Sequence, residues 1–307
     1  MNSEERELLK EKVLKRHELY KINNNRFLRL VKDPIRTLFF YVLAIIARIH
    51  PYKVRVKTLW GDKMTYFLPE GQAILYYGFF EANLTIFLLN FLKKGDCFLD
   101  VGAHVGYYTV LCSRLVEDSG RVYSFEPTPR TFSSLKINTK ESGNVIINNL
   151  AVLNEEKEIN FIDYGPKFSA FNGFRKRTSD DTKFLRKNAI EIKVKTTVLD
   201  DYCKKHNITP TFIKIDAEGA EHLILEGMGY IMKELKPVIS IEVAGEDEWK
   251  DNCRKSIDIL LTNNYIAYEC DVNGNLSLHK AKDKYVYDNL IFIHKDNAIG
   301  LAELVEK

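Results

Sequence analysis

The sequence predicts an α/β protein: a mostly parallel central sheet with helices on both faces, preceded by a helical extension. Three observations predict it. Short apolar runs of strand length alternate with helix-period segments through the middle of the chain. One such run, Cys97 to Val101, passes through a glycine turn into a helix. A second, RVYSFEP at 121–127, follows one helix later and ends in Glu126, as the second strand of a βαβ unit should.

The elements follow in order. ELLKEKVLKRHELY reads as a polar helix with Leu8, Leu9, Val13 and Leu14 on one side. TLFFYVLAIIA, residues 37–47, is flanked by Arg36 and Arg48. Crossing a bilayer takes about twenty residues, more than this segment has. It is expected as a buried helix packed on the main domain, with an interfacial helix on an anionic membrane as the alternative. VRVKTLWGDKMTYFLP, 54–69, reads as a hairpin turned at Gly61-Asp62. Ala82 to Leu92 is an apolar helix leading into the Cys97 strand. After the glycine turn, Tyr108, Leu111, Cys112 and Leu115 form one face of a helix. Val145 to Val152 is read as a third strand, followed by strands at Glu158 to Ile162 and Ile190 to Thr196. Phe212 to Ile215 and Val238 to Val243 are buried-strand runs. Asn273-Gly274 joins YIAYECD to LSLH as a hairpin, and Asn289 to His294 supplies the last strand. These elements divide into a basic extension with a small hairpin, 1–69, and a main domain, 70–307.

The net charge of +3 hides an asymmetry. Residues 1–58 hold 14 Lys/Arg and 6 Asp/Glu, a net +8, so the remainder carries −5. Five scattered cysteines without a C-x-x-C pair indicate neither a zinc site nor a disulfide framework. With no apolar leader near the start, they suggest a reducing, cytoplasmic setting.

The glycine turn narrows the ligand. Its pattern, D-x-G-x-x-x-G, places Asp100 at the strand end and Gly102 and Gly106 around the turn, with no third glycine. A dinucleotide fingerprint needs that glycine to approach a pyrophosphate, which Asp100 would repel. A carboxylate there suits an ammonium, and S-adenosylmethionine (SAM) carries an ammonium, a sulfonium and no phosphate. Glu126 stands at the distance from the turn where an acid can take both ribose hydroxyls. The plainer alternatives are an ordinary strand-to-helix turn and a solvated strand end.

IDAEGAEH bears most on chemistry. Asp216 ends the Phe212 strand at the same sheet edge, Glu218 follows, Gly219 opens a helix, and Glu221 and His222 lie in its first turn. Glu218 and Glu221 could be structural, stabilised by the helix dipole. The N/D-P-P-aromatic motif common in methyltransferases acting on nucleobase amino groups is absent, and no nucleic acid partner is expected. A carboxylate-rich edge fits a hydroxyl acceptor, from which a base must take the proton. Asp216 is the first candidate base, followed by Glu218, His222 and Glu242; Asp216 and Glu242 could alternatively hold a divalent cation. DYGPKFSAFNGFRKRTSDDTKF, 163–184, has no clear period and combines Phe168, Phe171 and Phe174 with Arg175, Lys176 and Arg177. It reads either as a solvated loop or as a functional insertion whose aromatic and cationic side chains can hold sugars, anionic groups or single-stranded nucleic acid.

The chain resembles the FkbM family of SAM-dependent methyltransferases. The resemblance rests on YGFFE (77–81), FLDVGAHVGYYTVL, SFEPTPRTFSSLKIN, VIINNLAVLN, TTVLDDYC and FIKIDAEGAEHLILEGM (212–228), and covers about residues 70–245. His104 departs from it, since the family more often carries Asn there. The resemblance implies a Rossmann-like class I methyltransferase fold with a late antiparallel strand. It implies a SAM pocket drawing on Glu81, Asp100, Gly102, Ala103, His104, Gly106, Glu126 and Asn149. It also implies O-methylation of a hydroxyl, of a sugar in a bacterial surface glycan or of a secondary metabolite, so a small-molecule or glycan acceptor. A nucleotide-dependent oxidoreductase and a non-catalytic SAM-binding or membrane-associated protein are the competing functions.

Overall fold

The strand run at Cys97–Val101 is apolar on both sides because both faces of the sheet it enters are covered. In the computed structural model, residues 1–21, 26–49, 52–68, 71–175, 183–185, 187, 189–243, 250–282, 285 and 288–298 are described. Three helices lead, α1 (Ser3–Lys21), α2 (Arg26–Lys32) and α3 (Pro34–Ile49). The hairpin β1 (Tyr52–Lys57) and β2 (Lys63–Leu68) follows, then α4 (Gln72–Tyr77) and α5 (Ala82–Phe91). The first βαβαβ half is β3 (Cys97–Val101), α6 (Tyr107–Val116), β4 (Arg121–Phe125), α7 (Pro129–Asn138) and β5 (Val145–Asn148). Next come β6 (Ala151–Val152), β7 (Glu158–Asp163), β8 (Ile190–Thr197) and α8 (Leu199–His206). The second half runs through β9 (Phe212–Ile215), α9 (Glu221–Glu226), β10 (Val238–Val243), α10 (Lys250–Thr262), β11 (Tyr265–Cys270), β12 (Leu276–Leu278) and β13 (Asp288–His294), and ends in the short α11 (Lys295–Ala298).

The central sheet has eight strands in the order β12-β11-β13-β10-β9-β3-β4-β5. Strands β10, β9, β3, β4 and β5 pair in parallel, while β13 runs antiparallel between β10 and β11. This is the Rossmann-like α/β arrangement with a late antiparallel strand. Successive residues of each strand enter opposite cores. Phe98, Val122 and Phe212 pack with α5 and α6, whereas Leu99, Ile213 and Ile239 pack with α8, α9 and α10. The order reverses between β3 and β9, which places a crevice at their carboxyl ends.

Three expectations need correction. The run from Val145 to Val152 is not one strand: β5 stays in the main sheet, and β6 pairs with β8 in a separate three-stranded sheet with β7. The break falls at Asn149, whose side-chain amide donates to the carbonyls of Glu126 (2.8 Å) and Pro127 (2.9 Å) and turns the chain out of the main sheet. In α1, Leu9 and Val13 are buried but Leu8 is 50% exposed. Leu9 and Val13, four residues apart, share the inward face, and Leu8 lies to the solvent side of it. In α3 only one side packs inward, through Thr37, Ala44 and Ala47. Small residues let the helix approach the body, and Phe40 packs inward against Tyr76, while Ile35, Leu38, Phe39, Val42, Ile45 and Ile46 point away.

The amino-terminal helices are nonetheless tied to the body. The Arg6 guanidinium donates to the carbonyls of Leu89, Leu92 and Leu115, which end α5 and α6. The five cysteines are free, and all but Cys97 are buried.

Candidate active site

The crevice is built on a close backbone approach. A Cβ at Gly102 would lie 1.7 Å from the carbonyl oxygen of Asp216, and Gly102 has φ +77°, so only glycine lets β3 and β9 end side by side here. Gly106, at φ +92°, precedes α6 as its cap. Ala103 is buried beneath the turn and donates its N–H to the carbonyl of Phe125. The cavity is lined by Gly102, His104, Glu126, Thr128, Asp216 and Glu218, with apolar walls from Phe125, Leu150, Phe161 and Phe174.

Glu126 is buried and shapes this cavity. Its Oε2 accepts the His104 N–H (3.1 Å) and its Oε1 accepts the Thr128 N–H (2.9 Å). Burial raises its pKa, opposed by His104 and the Thr128 N–H. Each carboxylate oxygen keeps a second lone pair, so Glu126 can still receive a diol. His104 sits at φ +51°, and its Nε2 shares a 2.7 Å hydrogen bond with Ser169.

Beneath the crevice runs a polar row that crosses the apolar sheet. Ser124, Asp100, Lys214 and Ser240 stand in register on β4, β3, β9 and β10. Asp100 Oδ2 accepts from the Thr109 hydroxyl (2.6 Å), while its Oδ1 has no hydrogen-bond partner. Burial raises the Asp100 pKa, against the pull of Lys214 and Thr109. Lys214 is 2% exposed; its Nζ lies 2.8 Å from Asp216 Oδ2 and 5.1 Å from the Tyr108 ring centroid. Burial alone would strip its proton, but Asp216, Asp100 and Glu81 outweigh that and hold it charged. Glu81, at φ +41°, accepts from Tyr108 (2.6 Å) and from Asn289 (2.7 Å), joining α6 to β13.

At the rim, Asp216, Glu218 and Glu242 bring carboxylate oxygens within 4.8 Å of one another. Burial opposes ionisation of Asp216, but Lys214 and a hydrogen bond from Glu242 outweigh it, and its pKa is lowered. Burial, Asp216 and Glu218 push Glu242 well above the usual carboxylate range. Within the pair, Asp216 is the acid pushed towards ionisation and Glu242 the one pushed towards keeping its proton. The oxygen set has the chemistry of a hard-cation site, but the Lys214 ammonium already neutralises Asp216.

The other expected residues fall elsewhere. His222 is buried beside α10 rather than facing solvent and does not line the cavity; burial lowers its pKa, and its Nδ1 has no hydrogen-bond partner. Asn149 is spent on the backbone turn, and its neighbours Leu150 and Ala151 line the cavity instead. Gly219 does not open the helix; α9 begins at Glu221. Of the three loop phenylalanines, only Phe174 lines the cavity, while Phe168 and Phe171 pack with Tyr164 and Leu185. Lys176 and Arg177 lie outside the described residues. Lys214 was missed by sequence reasoning. Its one signal was a charge within the buried run FIKI.

Glu221 holds the loop before α9, accepting the N–H groups of Ala217 (2.9 Å) and Gly219 (3.3 Å). Burial pushes its pKa up to about 7. At low pH the folded and unfolded chains both keep this proton. As pH rises towards 7 the unfolded chain releases it first, so stability falls. Glu221→Gln keeps an acceptor and removes the titration. Urea unfolding should show the variant gaining about 1–3 kcal/mol over wild type between pH 5 and 8. A constant difference across that range would contradict the assignment.

Residues 100–267 match the Methyltransferase FkbM domain, and the chain belongs to that family. It is 27% identical over 169 residues to the hexuronic acid methyltransferase AglP of Haloferax volcanii, covering 54% of this chain and 64% of that protein. Over 65 residues it is 35% identical to a probable cobalt-precorrin-6B C(15)-methyltransferase (decarboxylating) of Saccharolobus solfataricus, covering 21% of this chain and 32% of the other. A solved structure of methyltransferase FkbM from Methylobacillus flagellatus aligns at 15% identity and TM-score 0.39, over 86% of this chain and 60% of that one. The chain thus spans less than two thirds of the length of each of these relatives.

Proposed function

We propose that the protein is a SAM-dependent O-methyltransferase acting on a hydroxyl of a sugar. The observation that carries this reading is the pairing of a buried acid, Glu126, with an ionised acid, Asp216, across one cavity at the sheet's switch point. SAM supplies an electrophilic methyl group on a sulfonium. Glu126 would hold the ribose diol, and the Gly102–Gly106 turn would lie against the ligand. Asp216 would take the hydroxyl proton as the acceptor oxygen attacks, with Lys214 keeping it ionised and fixed in place.

A sugar acceptor is supported by the hexuronic acid named for the Haloferax volcanii relative. A hexuronic acid offers both hydroxyls and a carboxylate. Asp216, biased towards ionisation at the cavity wall, can take a proton from a hydroxyl, whereas a carboxylate acceptor has none to give, which favours a hydroxyl. Residues 168–175, joined to the cavity through Ser169 and Phe174, would cover the acceptor.

Titration calorimetry tests the cofactor. SAM should bind with a Kd in the micromolar range, about −8 kcal/mol. Glu126→Gln should weaken it by about 1.5–3 kcal/mol, the worth of a charge-assisted hydrogen bond. Tight NAD binding without SAM binding would sink the reading.

A further inference from the structure

We propose that α2 and the outward side of α3 dock the protein on the surface of an anionic lipid bilayer. On α3, Ile35 (84% exposed), Leu38 (63%), Phe39 (58%), Val42 (49%), Ile45 (60%) and Ile46 (49%) fall on one stripe of the helix. On α2, Phe27 is 73% and Val31 63% exposed. Of the 17 large hydrophobics exposed among the described residues, 10 lie between positions 27 and 46. Such a concentration is a patch rather than scattered surface residues, and patches of this kind mark interaction sites.

The two helices form one fixed face. Arg29 of α2 is 7% exposed and donates to the hydroxyls of Tyr41 on α3 (2.8 Å) and Tyr77 on α4 (3.4 Å). Thr37 of α3 shares a 2.8 Å hydrogen bond with the Tyr76 hydroxyl. The side of α3 opposite the stripe is thereby held on the body.

Charge decides the occupant. Residues 19–58 contain nine Lys/Arg and one Asp, a net +8, whereas residues 1–18 are neutral and residues 59–307 carry −5. Five of these Lys/Arg and the one Asp lie in α2 and α3, residues 26–49, a net +4. A second copy would set the net positive charge of these helices against its like, which opposes self-association. An anionic bilayer offers hydrocarbon to the stripe and counter-charge to the net positive α2–α3 segment, whose Lys32 is exposed. Insertion stops at the interface, because among the described residues no helix is long and apolar enough to cross a membrane.

Vesicle co-sedimentation of the full chain tests this. The protein should pellet with vesicles of phosphatidylcholine plus phosphatidylglycerol, stay in solution with phosphatidylcholine alone, and be released by salt. Ile35→Gln/Phe39→Gln changes only exposed positions and should lower partitioning roughly tenfold or more. Lys32→Glu, also at an exposed position, reverses a charge on α2 and should lower it about tenfold on the anionic vesicles. The proposal is overturned if wild type does not pellet with the anionic vesicles or if both variants bind as wild type does. It is also overturned if sedimentation velocity shows a dimer that Ile35→Gln/Phe39→Gln dissociates, which would make a second copy the occupant.

Discussion

Replacing Asp216 by Asn is expected to lower kcat by roughly 10²–10⁴-fold, the usual worth of a positioned base, with SAM affinity nearly unchanged. Asn keeps the shape and removes the proton acceptor. The side chain stands just past β9, lines the cavity, and is held ionised by Lys214 at 2.8 Å. A sugar hydroxyl needs such a group, because it is a poor nucleophile while protonated. A carboxylate acceptor is already ionised and would lose little. Stopped assays with the variant therefore report the acceptor's chemistry as well as the residue's role. Chelation adds a second reading. With Lys214 neutralising Asp216, EDTA should leave the rate unchanged. Activity lost on chelation and restored by Mg²⁺ would show instead that Asp216, Glu218 and Glu242 work by holding a cation.

Replacing Lys214 by Met is expected to cost about 3–5 kcal/mol of stability at neutral pH, because it leaves buried carboxylates without their counter-charge. Asp100 stands beside Lys214 in the β3–β9 register, and Asp216 is bonded to it. Asp100 already carries a raised pKa from burial, with Lys214 opposing that rise. Without the ammonium, both acids move upward in the folded chain. Their protons are then released first by the unfolded chain as pH rises, so the variant loses stability with rising pH. Urea unfolding at pH 5 and pH 8 should show a deficit that is larger at pH 8. A deficit of equal size at both would mean that Lys214 matters only for packing.

Much of this was legible in the sequence because the physics is local. Apolar runs such as Cys97–Val101 and Val238–Val243 become buried strands wherever helices cover both faces. Acids at strand ends, Glu126 and Asp216, fall at the sheet edge by geometry alone. Lys214 was hidden because its role depends on register: only when β9 lies beside β3 does Asp100 become its neighbour. Asn149 was misplaced because a strand-like run of residues continues through it, and the break is made by its own amide bonding to the backbone of the preceding turn. The outward face of α3 was legible only as the second of two readings. An apolar helix signals burial, but the sequence does not say against what, and a helix apolar all round can pack only one side on the body.

The central claim is that the Glu126–Asp216 cavity transfers a methyl group from SAM to a sugar hydroxyl. The most direct measurement incubates the protein with trideuteromethyl-labelled SAM and uronic-acid glycosides, then follows the product by mass spectrometry before and after alkaline hydrolysis. The account predicts one trideuteromethyl ether that survives alkali and is lost with Asp216→Asn. A label removed by alkali, which marks a methyl ester, or a label undiminished in the Asp216→Asn protein, would contradict it.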